Sequence, residues 1–285
     1  MTASTEGATD TAATTDSGPT SLDTGSETGH QTTAGGDTDG SKPDLGAAPD
    51  EHCANPGPWP LPEAPLLELP RFVAHSYIDL DQIGWMTKFR SSVGHDYSDA
   101  FERCRSMKHY AYPIDEVDWG AVELYAPVAG EVIVVEQERY GSRVQLRSTL
   151  HPEIDFVLFH VDLMGPLAPG ATIAAGELLG THYGDQTYSD IAAATTVDGA
   201  WRLISWFELM TDDLLAVLQA RGGISSPSDI IITQAERDAM ALCCTNGQFD
   251  DPEELSDWVP LDAGNLAQPT RLGLATLDDD DGRLR

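Results

Sequence analysis

Between residues 123 and 180 the chain is broken into short valine- and leucine-rich runs by residues that turn it, and this confines the segment to β-structure. Glu123–Tyr125, Gly130–Glu138, Arg143–Arg147 and Phe156–His160 read as strands, because β-branched and aromatic side chains suit a pleated, partly buried surface. Pro127 and the Tyr140-Gly141-Ser142 step separate them. The apolar run Val132–Val135 is continuous, which predicts a strand buried on both faces. A reversal at Pro169-Gly170 leads into Ala171–Ala174, and Gly176 precedes Leu178–Gly180. Strands this short, closed by glycines, predict a small sandwich or barrel. Its expected core is Leu124, Val132, Val134, Val144, Leu146, Val157, Phe159 and Leu179.

The flanks differ in character. Arg202–Leu209 reads as one more strand. Thr211 can cap a helix from Asp212 to about Ala220, with two acids in its first turn and Arg221-Gly222 at its end. Asp229–Ile232 reads as a short extended piece, and Thr233-x-x-Glu236 is a capping box opening a second helix toward Cys243. Residues 200–262 are thus expected to form a small α/β appendage on a β domain of residues 72–199. Residues 53–71 form a proline-rich lead-in, since Pro56, Pro58, Pro60, Pro62, Pro65 and Pro70 forbid a helix. Residues 1–52 carry twelve threonines and few large apolar side chains. Such a stretch cannot bury enough surface to offset the entropy of ordering it and is expected to be disordered. Residues 263–285 read as an acidic tail ending in Asp278–Asp281 and two arginines.

Charge excludes several partners. The 47 acidic and 16 basic side chains give a net charge of -31, so there is no basic stripe to displace counterions from nucleic acid or to meet an anionic membrane. So acidic a surface suits a halophilic setting, where salt screens self-repulsion. No apolar run of about 18 residues exists, so no membrane insertion is expected. Read literally, the chain is cytoplasmic; its Thr-rich acidic arm equally suits the spacer of an extracellular or cell-surface protein. The four cysteines, Cys53, Cys104, Cys243 and Cys244, are too few for a disulfide scaffold. At most one bridge is expected, from Cys104 to Cys243 or Cys244, with buried free thiols as the alternative.

Three places combine histidine and carboxylate. His95-x-x-x-Asp99 is a spacing that a bent loop can bring to one metal ion. His160 closes an apolar strand and so delivers a polar ring to a rim. His182 lies in Gly180-Thr181-His182-Tyr183-Gly184, with Asp190 following. His109 reads as structural. No nucleophile elbow, phosphate-binding loop, dinucleotide fingerprint or His-Glu-x-x-His helix is present.

The order His95-x-x-x-Asp99, Tyr125-Ala126-Pro127-Val128-Ala129-Gly130-Glu131-Val132, Tyr140-Gly141-Ser142-Arg143-Val144, Phe159-His160-Val161, Leu167-Ala168-Pro169-Gly170 and Ala175-Gly176-Glu177-Leu178-Leu179-Gly180 resembles the lysostaphin-type zinc metallopeptidases over roughly residues 90–192. The resemblance implies a mainly β fold, a peptidase-like β-sandwich (the duplicated hybrid motif, related to lipoyl-like domains), with the α/β appendage after it. It also implies that His95 and Asp99 bind zinc and that His160 is the catalytic-type histidine. The family's closing His-x-His has no counterpart here, because the corresponding stretch is Tyr188-Ser189-Asp190-Ile191-Ala192. Asp190 as an oxygen ligand, or His182 from eight residues earlier, would have to complete the set.

The favoured reading is a catalytically degenerate peptidase-like domain without a cofactor, acting as a binding module for a cell-envelope, peptide or carbohydrate ligand. One alternative is a zinc-dependent hydrolase with ligands His95, Asp99 and either Asp190 or His182, and with His160 as general base. Another is a small-molecule or carbohydrate pocket lined by Trp119, Tyr125, Trp201 and Trp206.

Overall fold

The computed structural model describes residue 57 and residues 59–261. The acidic arm, with the disorder expected for it, and the acidic tail lie wholly outside the described residues, as does Cys53. Residues 59–71 carry no regular element, as their prolines require.

The described strands are β1 (Ile83–Thr87), β2 (His109–Pro113), β3 (Glu123–Tyr125), β4 (Gly130–Gln137), β5 (Ser142–Ser148), β6 (Ile154–Leu163), β7 (Thr172–Ile173), β8 (Leu178–His182), β9 (Ser189–Val197), β10 (Ala200–Ile204), β11 (Cys244–Thr245), β12 (Gln248–Phe249) and β13 (Trp258–Pro260). All but β11 and β12 belong to one sheet with the path β13-β1-β2-β9-β6-β5-β4-β7, and its ladders are antiparallel. Two helices follow, α1 (Asp212–Arg221) and α2 (Gln234–Ala239). The protein is mainly β, a β-sandwich with a small C-terminal α/β region. No helix among the described residues is long and apolar enough to cross a membrane.

The sheet forks at β6, and the fork positions the site. One edge of β6 pairs with β5, while the other pairs with β9 over Ile154–Leu158 and then with β8 over Val161–Leu163. The change of partner falls at Phe159–His160. A strand that swaps neighbours must kink, and His160 takes up the kink at φ 58°, a left-handed conformation that is uncommon for a residue with a Cβ. Gly141 of the preceding turn lies against it; a Cβ there would come within 2.9 Å of the His160 carbonyl carbon.

Alternation then sorts the side chains. In β6, Ile154, Phe156 and Leu158 enter the main core, while Val157 and Phe159 face a second cluster with Phe89, Met107, Ala192, Ala194 and Leu203. β6 and β9 are therefore covered on both faces. β4 departs from expectation. Val132 is fully buried, but Ile133, Val134 and Val135 are only half-buried, because a register shift between Val132 and Val134 interrupts the ladder and, among the described residues, β4 beyond Glu131 pairs with β5 alone. The other seven expected core residues are buried.

In the appendage, β10 stops at Ile204, short of the expected Leu209. Ser205 and Glu208 form a capping box that opens a short 3-10 turn, Trp206–Leu209. Helix α1 forms as expected, with Thr211 accepting from the Leu214 amide and Gly222 closing it at φ 98°. Pro227–Ile230 is a 3-10 turn in place of an extended piece, and α2 is shorter than expected. Cys104 is bonded to Cys244, and no described cysteine is a free thiol. The bridge staples the loop between β1 and β2 to the appendage, beside Leu242, Trp59 and Phe249.

Candidate functional site

Four side chains from different elements meet where β6 kinks. Lys108 immediately precedes β2, and Asp190 in β9 sits opposite Tyr110 of β2. Since side chains repeat every second residue along a strand, Lys108 and Tyr110 point the same way and the lysine reaches Asp190 diagonally. His160 comes from the kink of β6. His95 comes from the β1–β2 loop, which a bridge to Gln248 holds in place.

The geometry centres on the Lys108 ammonium. Its Nζ lies 2.6 Å from Asp190 Oδ2 and 3.3 Å from His95 Nε2. Both members of the ion pair are inaccessible, with Lys108 2% and Asp190 0% exposed. The rings of Tyr97, Tyr110 and Phe159 surround the ammonium, their centroids 4.8, 5.0 and 4.3 Å away, which adds cation–π attraction in a desolvated setting. Burial alone would lower the lysine pKa; Asp190, with Tyr110 and Tyr97, outweighs it and holds the ammonium above its ordinary value. Burial likewise pushes the Tyr97 hydroxyl up to about 12 and raises that of Tyr110.

The histidines have defined roles in this arrangement. His95 donates from Nδ1 to the Asp96 carbonyl at 3.1 Å, so Nε2 presents its lone pair to Lys108. His160 donates from Nδ1 to the Tyr140 carbonyl at 2.9 Å, and its Nε2 faces Asp190 Oδ1 at 3.4 Å. His182 is fully buried. It donates from Nδ1 to the Gly184 carbonyl, accepts from the Thr187 hydroxyl at Nε2, and stacks on Trp119. Burial first, then His160, lowers its pKa to about 4, so it is a neutral packing residue whose ring centroid lies 6.4 Å from that of His160.

Asp99 is directed elsewhere. One of its oxygens accepts from the Phe101 and Glu102 amides and the other from the Leu203 amide, at 2.8 to 3.0 Å. Its pKa is raised, burial outweighing these bonds. Asp99 thus works as a turn cap tying the β1–β2 loop to β10. His95, Asp190 and His160 are brought together, while Asp99 and His182 each bond to other groups. Lys108 carries no recognisable motif. The signal that could have found it is its rarity: it is one of three lysines in the chain and stands beside an alternating aromatic strand, His109-Tyr110-Ala111-Tyr112.

The zinc that the sequence resemblance implies does not fit these residues. An ammonium already contacts the imidazole and the carboxylate that would ligate it, and Asp99 spends both oxygens on backbone amides. Among the described residues no three His, Cys, Asp or Glu side chains are grouped to hold a metal. The four aromatic residues considered for a carbohydrate pocket do not line one surface either. Trp206 is fully buried against Tyr77 and Phe207, Trp119 is buried with its Nε1 donating to the Thr187 carbonyl, and Trp201 packs on the second core cluster. Tyr125, bonded to Glu123, is half-buried, as is Trp201.

No family model and no curated protein matches the chain. Among solved structures it is similar to a candidate glycyl-glycine endopeptidase, lytM, from Ruminococcus gnavus, with 17% identity, TM-score 0.29, and coverage of 36% of this chain and 43% of that one. It is also similar to a chain of the SpoIIQ-SpoIIIAH pore forming complex (13%, TM-score 0.35, covering 54% and 99%). Lysostaphin is a third (11%, TM-score 0.26, covering 39% and 47%). All three likenesses are distant and partial, and the chain spans less than half the length of the first and the third.

Proposed function

We propose that this chain is a catalytically silent, peptidase-like β domain that serves as a binding module in an oxidising, extracytoplasmic setting such as a cell envelope. The observation that carries the reading is the filled centre. A hydrolytic metal needs three protein ligands and an open position for water. Here the corresponding space holds a lysine ammonium walled by three aromatic rings, and the carboxylate at metal spacing from His95 is a turn cap. His95 Nε2 faces the Lys108 ammonium and His160 Nε2 faces the Asp190 carboxylate. The Cys104–Cys244 bridge and the lack of free thiols among the described residues support the compartment, because structural disulfides persist where the surroundings oxidise.

The ligand class that suits such a module is an envelope peptide or glycan. The test incubates the purified full chain with cross-linked wall peptides, with and without added zinc, and follows both amine release and co-sedimentation with the insoluble polymer. Binding without cleavage is expected. Zinc-dependent release of peptide amines would overturn the reading.

A further inference from the structure

We infer that Cys53 is bonded to Cys243, so that a second disulfide anchors the acidic arm to the appendage. The inference goes beyond the reading of a binding module and does not depend on what the module binds. It starts from the cysteine count. The chain has four cysteines; Cys104 and Cys244 are bonded to each other, and Cys243 is disulfide-bonded as well. Within the chain only Cys53 is left to pair with it. The sequence predicts at most one bridge, and this pairing makes two.

Local geometry favours the pairing from both sides. Adjacent cysteines can serve two partners because side chains alternate along extended backbone. Cys244 opens β11 and is buried in a cluster with Cys104 and Leu242. Cys243, one residue earlier, is half-buried, and its carbonyl accepts from the Asp250 amide at 2.9 Å, which fixes its backbone beside β12. Alternation turns its side chain away from the Cys104–Cys244 bridge. The proline-rich lead-in arrives at the same place. Trp59 packs on the cluster of Cys104, Leu242 and Cys244, and a Cβ on Gly57 would stand 3.0 Å from the Ala241 Cβ. Cys53 precedes Gly57 by four residues, a reach of up to about 14 Å, whereas Ala241 and Cys243 are at most about 7 Å apart. That reach is enough to bring the two Cα atoms within the roughly 4.4–6.8 Å that a disulfide needs.

Forming the bond takes one hydrogen from each thiol. Both hydrogens, with two electrons, pass to the disulfide of a thiol oxidant, which leaves as two thiols. The bond makes the attachment of residues 1–52 independent of the lead-in backbone. Pro62, Glu63, Pro65 and Leu66 are exposed, Leu66 completely, and exposed irregular segments are where proteases nick a chain. A cut there would break the backbone and leave the arm held through sulfur.

The experiment places a tryptic site in the lead-in with Leu66→Arg, in the full chain produced in an oxidising compartment. Before that position the sole basic residue is Lys42, which Pro43 shields from trypsin. Thiols are blocked, trypsin is applied briefly, and masses are read in denaturant with and without reductant. Without reductant residues 1–66 are expected to stay attached, and with reductant to separate. Adding Cys243→Ser should release them without reductant, and adding Cys104→Ser with Cys244→Ser should not. Release from Leu66→Arg alone without reductant would overturn the proposal, as would retention in Cys243→Ser or a covalent dimer joined through Cys243. Wild type gives a second reading that needs no variant to fold. Denatured without reductant, it should take up no maleimide and weigh about 4 Da less than the reduced chain; maleimide on Cys53 would overturn the pairing.

Discussion

Lys108→Met keeps the volume of the side chain and deletes its charge, leaving the Asp190 carboxylate inside the protein without the ammonium 2.6 Å away. At an effective dielectric of about 20, that separation corresponds to about 6 kcal/mol of attraction. The gain is offset by the cost of desolvating two ions, several kcal/mol each. The net worth of the pair is therefore small, but breaking it from one side is expensive, about 3–5 kcal/mol. Against a total stability of about 5–15 kcal/mol for a domain of ordinary size, Lys108→Met should sit close to unfolding at room temperature. Asp190→Leu, which strands the ammonium, should cost a similar amount. The double variant, with both charges gone, should be more stable than either single one. Urea unfolding of all four proteins at fixed pH and ionic strength measures this cycle. A Lys108→Met variant within about 0.5 kcal/mol of wild type, or single costs that add within about 0.5 kcal/mol, would refute the reasoning.

Val132→Asp should unfold the protein, because an unpaired carboxylate would be fully buried at a cost of several kcal/mol; Val134→Asp, half-buried beyond the register shift, should leave a folded chain, and circular dichroism distinguishes the two. His109 is buried, with its Nδ1–H on the Thr87 carbonyl and Nε2 accepting from Ser205, and burial lowers its pKa to about 4 from an ordinary 6.5. The unfolded chain therefore binds the extra proton first, so stability is full above pH 6.5 and falls as pH drops toward 4, by at most a few kcal/mol; in His109→Gln that slope, read from urea midpoints, should be shallower. Replacing Cys104 and Cys244 with serine should cost about 2–5 kcal/mol, seen as a lower thermal midpoint; an unchanged midpoint would remove the bridge from the account.

Local signals carried much of the fold. The run at Glu123–Tyr125 and the capped helix after Thr211 appear where their own residues place them, since turn and cap chemistry acts within a few positions. β9 is legible only in retrospect. Its Ser189-Asp190-Ile191-Ala192-Ala193-Ala194 stretch has little intrinsic preference for a strand, and burial between β6, β2 and β10 decides it. The site divides the same way. His95, His160 and Asp190 stand out by side-chain chemistry, and the structure joins them. Asp99 shares the spacing of a ligand, but spacing does not reveal that three backbone amides already use its carboxylate. Lys108 was hidden because its partners lie 13 and 82 positions away, and a single lysine ahead of a strand has no pattern until the sheet is assembled.

Lys108 is the cation of this centre. A crystal structure of the wild-type chain, grown in excess zinc and measured with anomalous scattering at the zinc edge, tests it most directly. Nζ density in contact with Asp190 Oδ2 and His95 Nε2 is expected, with no anomalous peak between them. A zinc peak bound by His95 and Asp190, with the Lys108 side chain displaced, would contradict it.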